Sequence, residues 1–161
     1  MRHVPALALL LAFAGAAAAD PGVKSADEIK RALSKTPTRA LTTRQIEVRP
    51  TVALTVTFAL GSSQLTPQGT AQLDELARAL QSPELAEKRY VIDGHTDAKG
   101  KPESNLKLSE RRAASAKTYL VDTYGIADER LVTHGYGDTR LANPKDPYDG
   151  ANRRVEVTEM P

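Results

Sequence analysis

At 161 residues, with 40% hydrophobic and 26% charged side chains, the chain is long enough for one domain with a real core but not comfortably for two. A formal net charge of +2, one unit less without Arg2, leaves no electrostatic footprint for DNA, and the scarcity of aromatics with no Trp argues against stacking single-stranded nucleic acid. Cysteine is absent, so no disulfide supports the fold and no thiol is available for lipidation.

The first 19 residues, MRHVPALALLLAFAGAAAA, have the three parts of a secretory signal: Arg2 at the start, an apolar centre from Leu7 to Phe13, and small residues at Ala17 to Ala19. The apolar run is too short for a membrane span, and cleavage after Ala19 is expected to release a soluble periplasmic chain beginning at Asp20. No later stretch is apolar enough to span a bilayer, and no series of alternating segments suggests a barrel, so no direct membrane anchor is expected. Residues 20–50 read as an N-terminal helix and linker. Ser25 and Glu28 have capping-box spacing ahead of Ile29 and Leu33, and Pro37 marks the helix's limit. The Thr- and Arg-rich stretch from Thr36 to Arg49 reads as a linker or an edge segment. Together these residues form a candidate surface for an envelope-protein partner.

The compact domain is expected over residues 51–161. Leu54, Val56 and Phe58 alternate with Thr55 and Thr57, which predicts a half-buried strand broken at Gly61. Thr66 caps a helix with Pro67 in its first turn, and Leu73, Leu76, Ala77 and Leu80 make its apolar stripe. A strand follows from Tyr90 to about His95, then a helix from about Asn105 to Tyr124 stopped by Gly125. Leu131 to His134 and Arg153 to Val157 read as the last two strands. Strand, helix, strand, helix, strand, strand predicts an α+β fold, a two-layer sandwich of helices on a small mixed sheet.

On a helical wheel, Leu108, Ala113, Ala116, Tyr119 and Leu120 share one side with Arg112, whereas Glu110, Arg111, Ala114 and Thr118 face away. A guanidinium keeps its charge and does not sit unpaired inside a protein, so Arg112 needs an anion. Asp97, at the carboxyl end of the preceding strand, is the nearest candidate, either as a structural salt bridge to Arg112 or as half of a binding site. Thr96 and Asn105 add neutral hydrogen-bonding groups, although Asn105 also suits a helix cap. Arg153 alternates with Val155 and Val157 and would be a second inward arginine. An acid, amides and arginines together suit a zwitterion, the acid taking an ammonium and an arginine a carboxylate, with no evident nucleophile.

The segments GHTDAKGKPESNLKLSERRAASAKTYL, ADERLVTHGYGD and ANRRVEV, in that order, resemble the OmpA-like domain, found at the end of outer-membrane protein A, in the peptidoglycan-associated lipoprotein and in flagellar stator proteins. The resemblance covers about Val52 to Thr158. It implies a β-α-β-α-β-β fold that binds peptidoglycan non-covalently through the diaminopimelate of the stem peptide, without a cofactor. The family's aspartate in the "TD" pair, which grips the ammonium, falls on Asp97, and its arginine in the "NxxLSxxR" motif, which grips the carboxylate, falls on Arg112. Thr96, Asn105 and one arginine of "NRR", Arg153 or Arg154, are implied contributors. The chain departs from the pattern at Ala59, where many members carry an acid directly after the Phe, and at Ser104, which replaces a common tyrosine.

Two other readings stand beside this one. His95, Asp97, His134 and Asp138 supply metal-ligand chemistry for a metal-dependent enzyme, but at spacings that match no dense ligand motif. A protein-interaction module of the same fold would show a broken clamp, whereas Asp97 and Arg112 are both present. Ser109 lies in no GxSxG elbow, and "GYGD" is too short for a dinucleotide fingerprint.

Overall fold

Ser25 caps the first helix, α1 (Ala26–Leu33), through the reciprocal bonds its spacing predicts: its Oγ accepts from Glu28 N–H, and the Glu28 carboxylate accepts from Ser25 N–H at 2.9 Å. The computed structural model describes residues 22–40 and 46–161, so the expected leader lies outside the described residues. Within them, α1 shares the core of the whole chain, with Ile29 and Leu33 fully buried. It is tied to α2 (Pro67–Leu80) by Gln72, whose side chain bonds both backbone groups of Lys24, and by Glu75, which accepts from Ala26 N–H. The Thr36–Arg49 stretch contains a small antiparallel pair, β1 (Thr38–Ala40) and β2 (Ile46–Val48), separate from the main sheet.

The main sheet has four strands: β3 (Thr51–Leu54), β4 (Tyr90–Gly94), β5 (Leu131–Gly135) and β6 (Val155–Glu159), in the order β3-β6-β4-β5. β4 and β5 run parallel, joined through the long helix α3 (Pro102–Tyr124), and the other pairs are antiparallel. The result is the two-layer α+β sandwich that the element order predicts. Val52, Leu54, Tyr90, Ile92, Val155 and Val157 bury one face of the sheet together with Leu73, Leu76, Leu80, Ala113 and Leu120 of the helices. On the opposite face Asp93 lies in register with His134 on one side and Glu156 on the other.

Three element limits differ from expectation, and each bears on function. Burial alternates as far as Val56, but pairing with β6 stops at Leu54 rather than Phe58, which forms only an isolated bridge with Leu65. The last strand starts at Val155 rather than Arg153, because a single 3-10 turn (Gly150–Asn152) draws Arg153 N–H back to Gly150 C=O at 3.0 Å. Arg153 therefore stands outside the core, with its side chain 49% exposed. Helix α3 begins at Pro102, so Asn105 lies inside its first turns and is not the cap.

α3 also comes unusually close to the sheet. A Cβ added to Gly94 would stand 2.3 Å from Ser109 C=O, and one on its register partner Gly135 would stand 2.5 Å from Glu110. Two neighbouring strands thus omit side chains where the helix passes. This approach carries Asn105 and Arg112 to the ends of the strands.

Candidate functional site

Asp97 lies just beyond β4 and is 6% exposed. Its Oδ2 accepts from Arg153 Nη1 at 2.6 Å, and its Oδ1 accepts from Lys99 N–H at 3.1 Å. The first of these is a charge-assisted contact of the strong kind. Asn105, also buried, donates Nδ2 to Asp97 C=O at 3.2 Å and to Asp138 Oδ2 at 3.4 Å, bracing the loop that presents the acid. Thr96 N–H donates to Gly137 C=O at 2.8 Å, while its buried Oγ1 has no hydrogen-bond partner among the described residues.

Arg112 projects from the side of α3 that also carries buried Ala113, Ala116 and Leu120. Its Nε donates to Ser62 C=O at 3.0 Å, and its guanidinium lies 5.1 Å from the centre of the Phe58 ring. Among the described residues it has no carboxylate within 4.0 Å, so the direct Arg112–Asp97 salt bridge is not formed. The 3-10 turn frees Arg153 from the strand, and Arg153 takes Asp97 instead. Burial first, then repulsion from Arg153, pull the Arg112 pKa below its ordinary value, with Asp97 acting in the opposite direction. Arg154 diverges from its neighbour, pairing with Glu156 at 2.7 Å and donating to Arg140 C=O. Among the described residues, Arg153 and Arg154 are therefore matched by acids and Arg112 is not.

These groups border a cavity of about 230 Å³ between Thr55–Phe58 and Gly150–Val155, to which Arg112, Arg153, Arg154 and His95 contribute. His95 is stacked on Tyr136, with ring centres 5.5 Å apart, and among the described residues neither of its nitrogens has a hydrogen-bond partner. Burial, then Arg154 and Arg140, push its pKa down to about 4 against the opposing pull of Glu156, which leaves a neutral ring near pH 7.

The residues considered as metal ligands face different partners. His95 Nε2 is 3.9 Å from Glu156, His134 Nδ1 is 3.5 Å from Asp93, Asp97 is held by Arg153, and Asp138 accepts from Asn105. Among the described residues no three such groups are arranged to hold an ion. Ser109 is fully buried; its Oγ donates to Leu106 C=O and accepts from Gly137 N–H, which fixes the loop after β5 onto α3. Sequence reasoning missed the roles of Phe58, Ser62 C=O and His95. Phe58 ends an alternating run, but nothing in that run shows which cation it will meet.

A model of the OmpA family matches residues 57–154. The chain belongs to the OmpA family. This OmpA-family chain is 40% identical over 102 residues to an outer membrane protein A of Bordetella avium and 38% identical over 102 residues to a peptidoglycan-associated lipoprotein of Pseudomonas aeruginosa, each match covering 62% of it. It spans only 51% and 58% of the lengths of those two relatives. The OmpA-like domain of FopA1 from Francisella tularensis superposes with a TM-score of 0.60 at 20% identity, covering 88% of this chain and 91% of that one, which shows the shared fold. The cell wall anchor of the T6SS from Pseudomonas aeruginosa superposes with a TM-score of 0.56 at 26% identity, covering 83% and 91%. Of these proteins, one is named for its association with peptidoglycan and another as a cell wall anchor. Among the described residues no helix is long and apolar enough to cross a membrane.

Proposed function

We propose that the chain binds peptidoglycan non-covalently by clamping the zwitterionic end of diaminopimelate in the stem peptide. Arg112 takes the carboxylate and Asp97 the ammonium. The observation that carries this reading is Arg112: a partly buried cation with no carboxylate within 4.0 Å among the described residues, beside an acid already shared with a more exposed arginine. A carboxylate ligand supplies the charge that Arg112 lacks, and the planar guanidinium can meet it with two parallel bonds. The ammonium then competes with Arg153 for Asp97. Arg153 is half-exposed, so it can swing toward the ligand at little cost in packing. Asn105 and Thr96 hold the loop and its neutral groups in place, and Arg154 adds positive potential from the cavity wall. The reading needs no cofactor and assigns no bond-breaking step. It places the exported chain in the periplasm, held to the wall by this site, with residues 20–50 available to a second envelope protein.

The test is co-sedimentation of the chain from Asp20 onward with purified sacculi, beside Asp97→Ala and Arg112→Ala. The parent should pellet, and both variants should stay in solution with unchanged circular dichroism. Folded variants that still pellet would overturn the clamp.

A further inference from the structure

The cavity continues past the clamp into a break in the sheet. β3 and β6 pair from Thr51 with Thr158 to Leu54 with Val155, and the next hydrogen-bonded step of that register would set Val56 opposite Arg153. That step is missing. Arg153 N–H turns back to Gly150, Thr57 C=O is taken on its other side by Thr66, and among the described residues the backbone N–H and C=O of Val56 have no hydrogen-bond partner. Strand groups in such positions are ordinarily paired. Here Val56 lines a cavity whose other wall is formed by Gly150, Arg153, Arg154 and Val155.

His95 adds an independent observation. It contributes to the wall of the same cavity, its side chain is only 1% exposed, and among the described residues Nδ1 and Nε2 have no hydrogen-bond partner, Glu156 at 3.9 Å being beyond reach. A neutral imidazole offers one donor and one acceptor, the complement of the C=O and N–H of a peptide unit. Arg112 and Arg153 line this cavity as well, so a ligand held by its charged end is led directly into the gap.

We propose that the gap is a peptide-backbone subsite, in which the amide that joins the clamped diaminopimelate to its stem-peptide neighbour lies between Val56 and Arg153 and bonds His95. The ligand takes the place of the missing strand step, a main-chain mode of recognition that is indifferent to the neighbouring side chain. This inference rests on the diaminopimelate reading above, and the experiment separates the two.

Isothermal titration compares free diaminopimelate with the tripeptide alanyl-γ-glutamyl-diaminopimelate, using the exported chain and its His95→Phe variant. Phenylalanine keeps a ring against Tyr136 and removes both nitrogens. The parent should prefer the tripeptide by at least about tenfold, the order that two net hydrogen bonds supply, and His95→Phe should cut the preference to about threefold or less. A parent with no preference, or a variant that retains it in full, overturns the subsite. Arg112→Ala should weaken both ligands; if it weakens neither, the clamp itself fails. A tripeptide with alanine in place of diaminopimelate that binds as well as the parent ligand also overturns the inference, because it uncouples the gap from the clamp. A second measurement does not depend on the variant folding. In the parent, the Val56 amide and the His95 ring nitrogens should shift in NMR spectra with the tripeptide but not with free diaminopimelate, and their failure to move sinks the proposal.

Discussion

Replacing Arg112 with methionine removes the charge and keeps much of the apolar stem. In the folded chain the guanidinium gains from its bond to Ser62 C=O and from the Phe58 ring, worth about 1.5–3 and about 0.5–1 kcal/mol for groups of this kind. Against this stands lost hydration with no acid in contact among the described residues. An uncompensated buried ion costs several kcal/mol, and for a partly buried side chain we discount that to about 2–4 kcal/mol. The two sides nearly cancel, so Arg112→Met should move stability by less than about 1 kcal/mol, read as a small change in urea midpoint at constant slope. Sacculus binding, in contrast, should fall by at least about thirtyfold, the lower end of the cost of truncating one partner of a buried charge pair. Destabilisation beyond about 2 kcal/mol would show that Arg112 supports the fold and would refute this reasoning. A folded variant that still binds would refute the clamp.

Two further predictions concern the frame of the site. Gly94→Ala sets a Cβ 2.3 Å from the Ser109 carbonyl, a backbone atom that cannot rotate away, and should cost about 1–3 kcal/mol in urea unfolding while weakening sacculus binding through a displaced α3; a loss below about 0.5 kcal/mol would mean that the helix is not tightly seated there. His95 titrates near 6.5 when unfolded and is pushed down to about 4 by burial, Arg154 and Arg140 when folded. Between those values the unfolded chain binds the proton and the folded chain does not, so stability is complete above about pH 6.5 and declines toward about pH 4, by roughly 3 kcal/mol at about 1.4 kcal/mol per unit. His95→Phe should remove that decline, judged from urea midpoints at about pH 7 and about pH 4.5. Asp93, whose carboxyl is pushed up by burial, titrates in both proteins and drops out of the difference. Parallel curves for parent and variant would contradict the assignment.

Much of the site's composition was readable in advance. Asp97 and Arg112 stand out because a charged residue in an apolar stripe and an acid at a strand end break local patterns that the rest of the chain obeys. The pairing between them was not readable, because it depends on where β6 begins. Alternation with Val155 and Val157 put Arg153 inside, but the turn at Gly150–Asn152 ends the ladder two residues early and hands Arg153 to Asp97. Asn105 matched a cap by type and position, yet Pro102 starts the helix ahead of it and leaves Asn105 to brace the loop.

Periodicity and caps act over a few residues, so the sequence by itself determined the helices, the alternating strands, the capping box at Ser25 and the mixed two-layer architecture. Partners far apart along the chain are chosen by register and close approach, which no local pattern encodes. Tertiary structure alone therefore decided that α1 shares the core, that Gly94 and Gly135 admit α3 to the strand ends, and that Arg112 has no acid in contact among the described residues. It also decided that the sheet opens beside Val56, where one strand turns away before its neighbour has finished pairing.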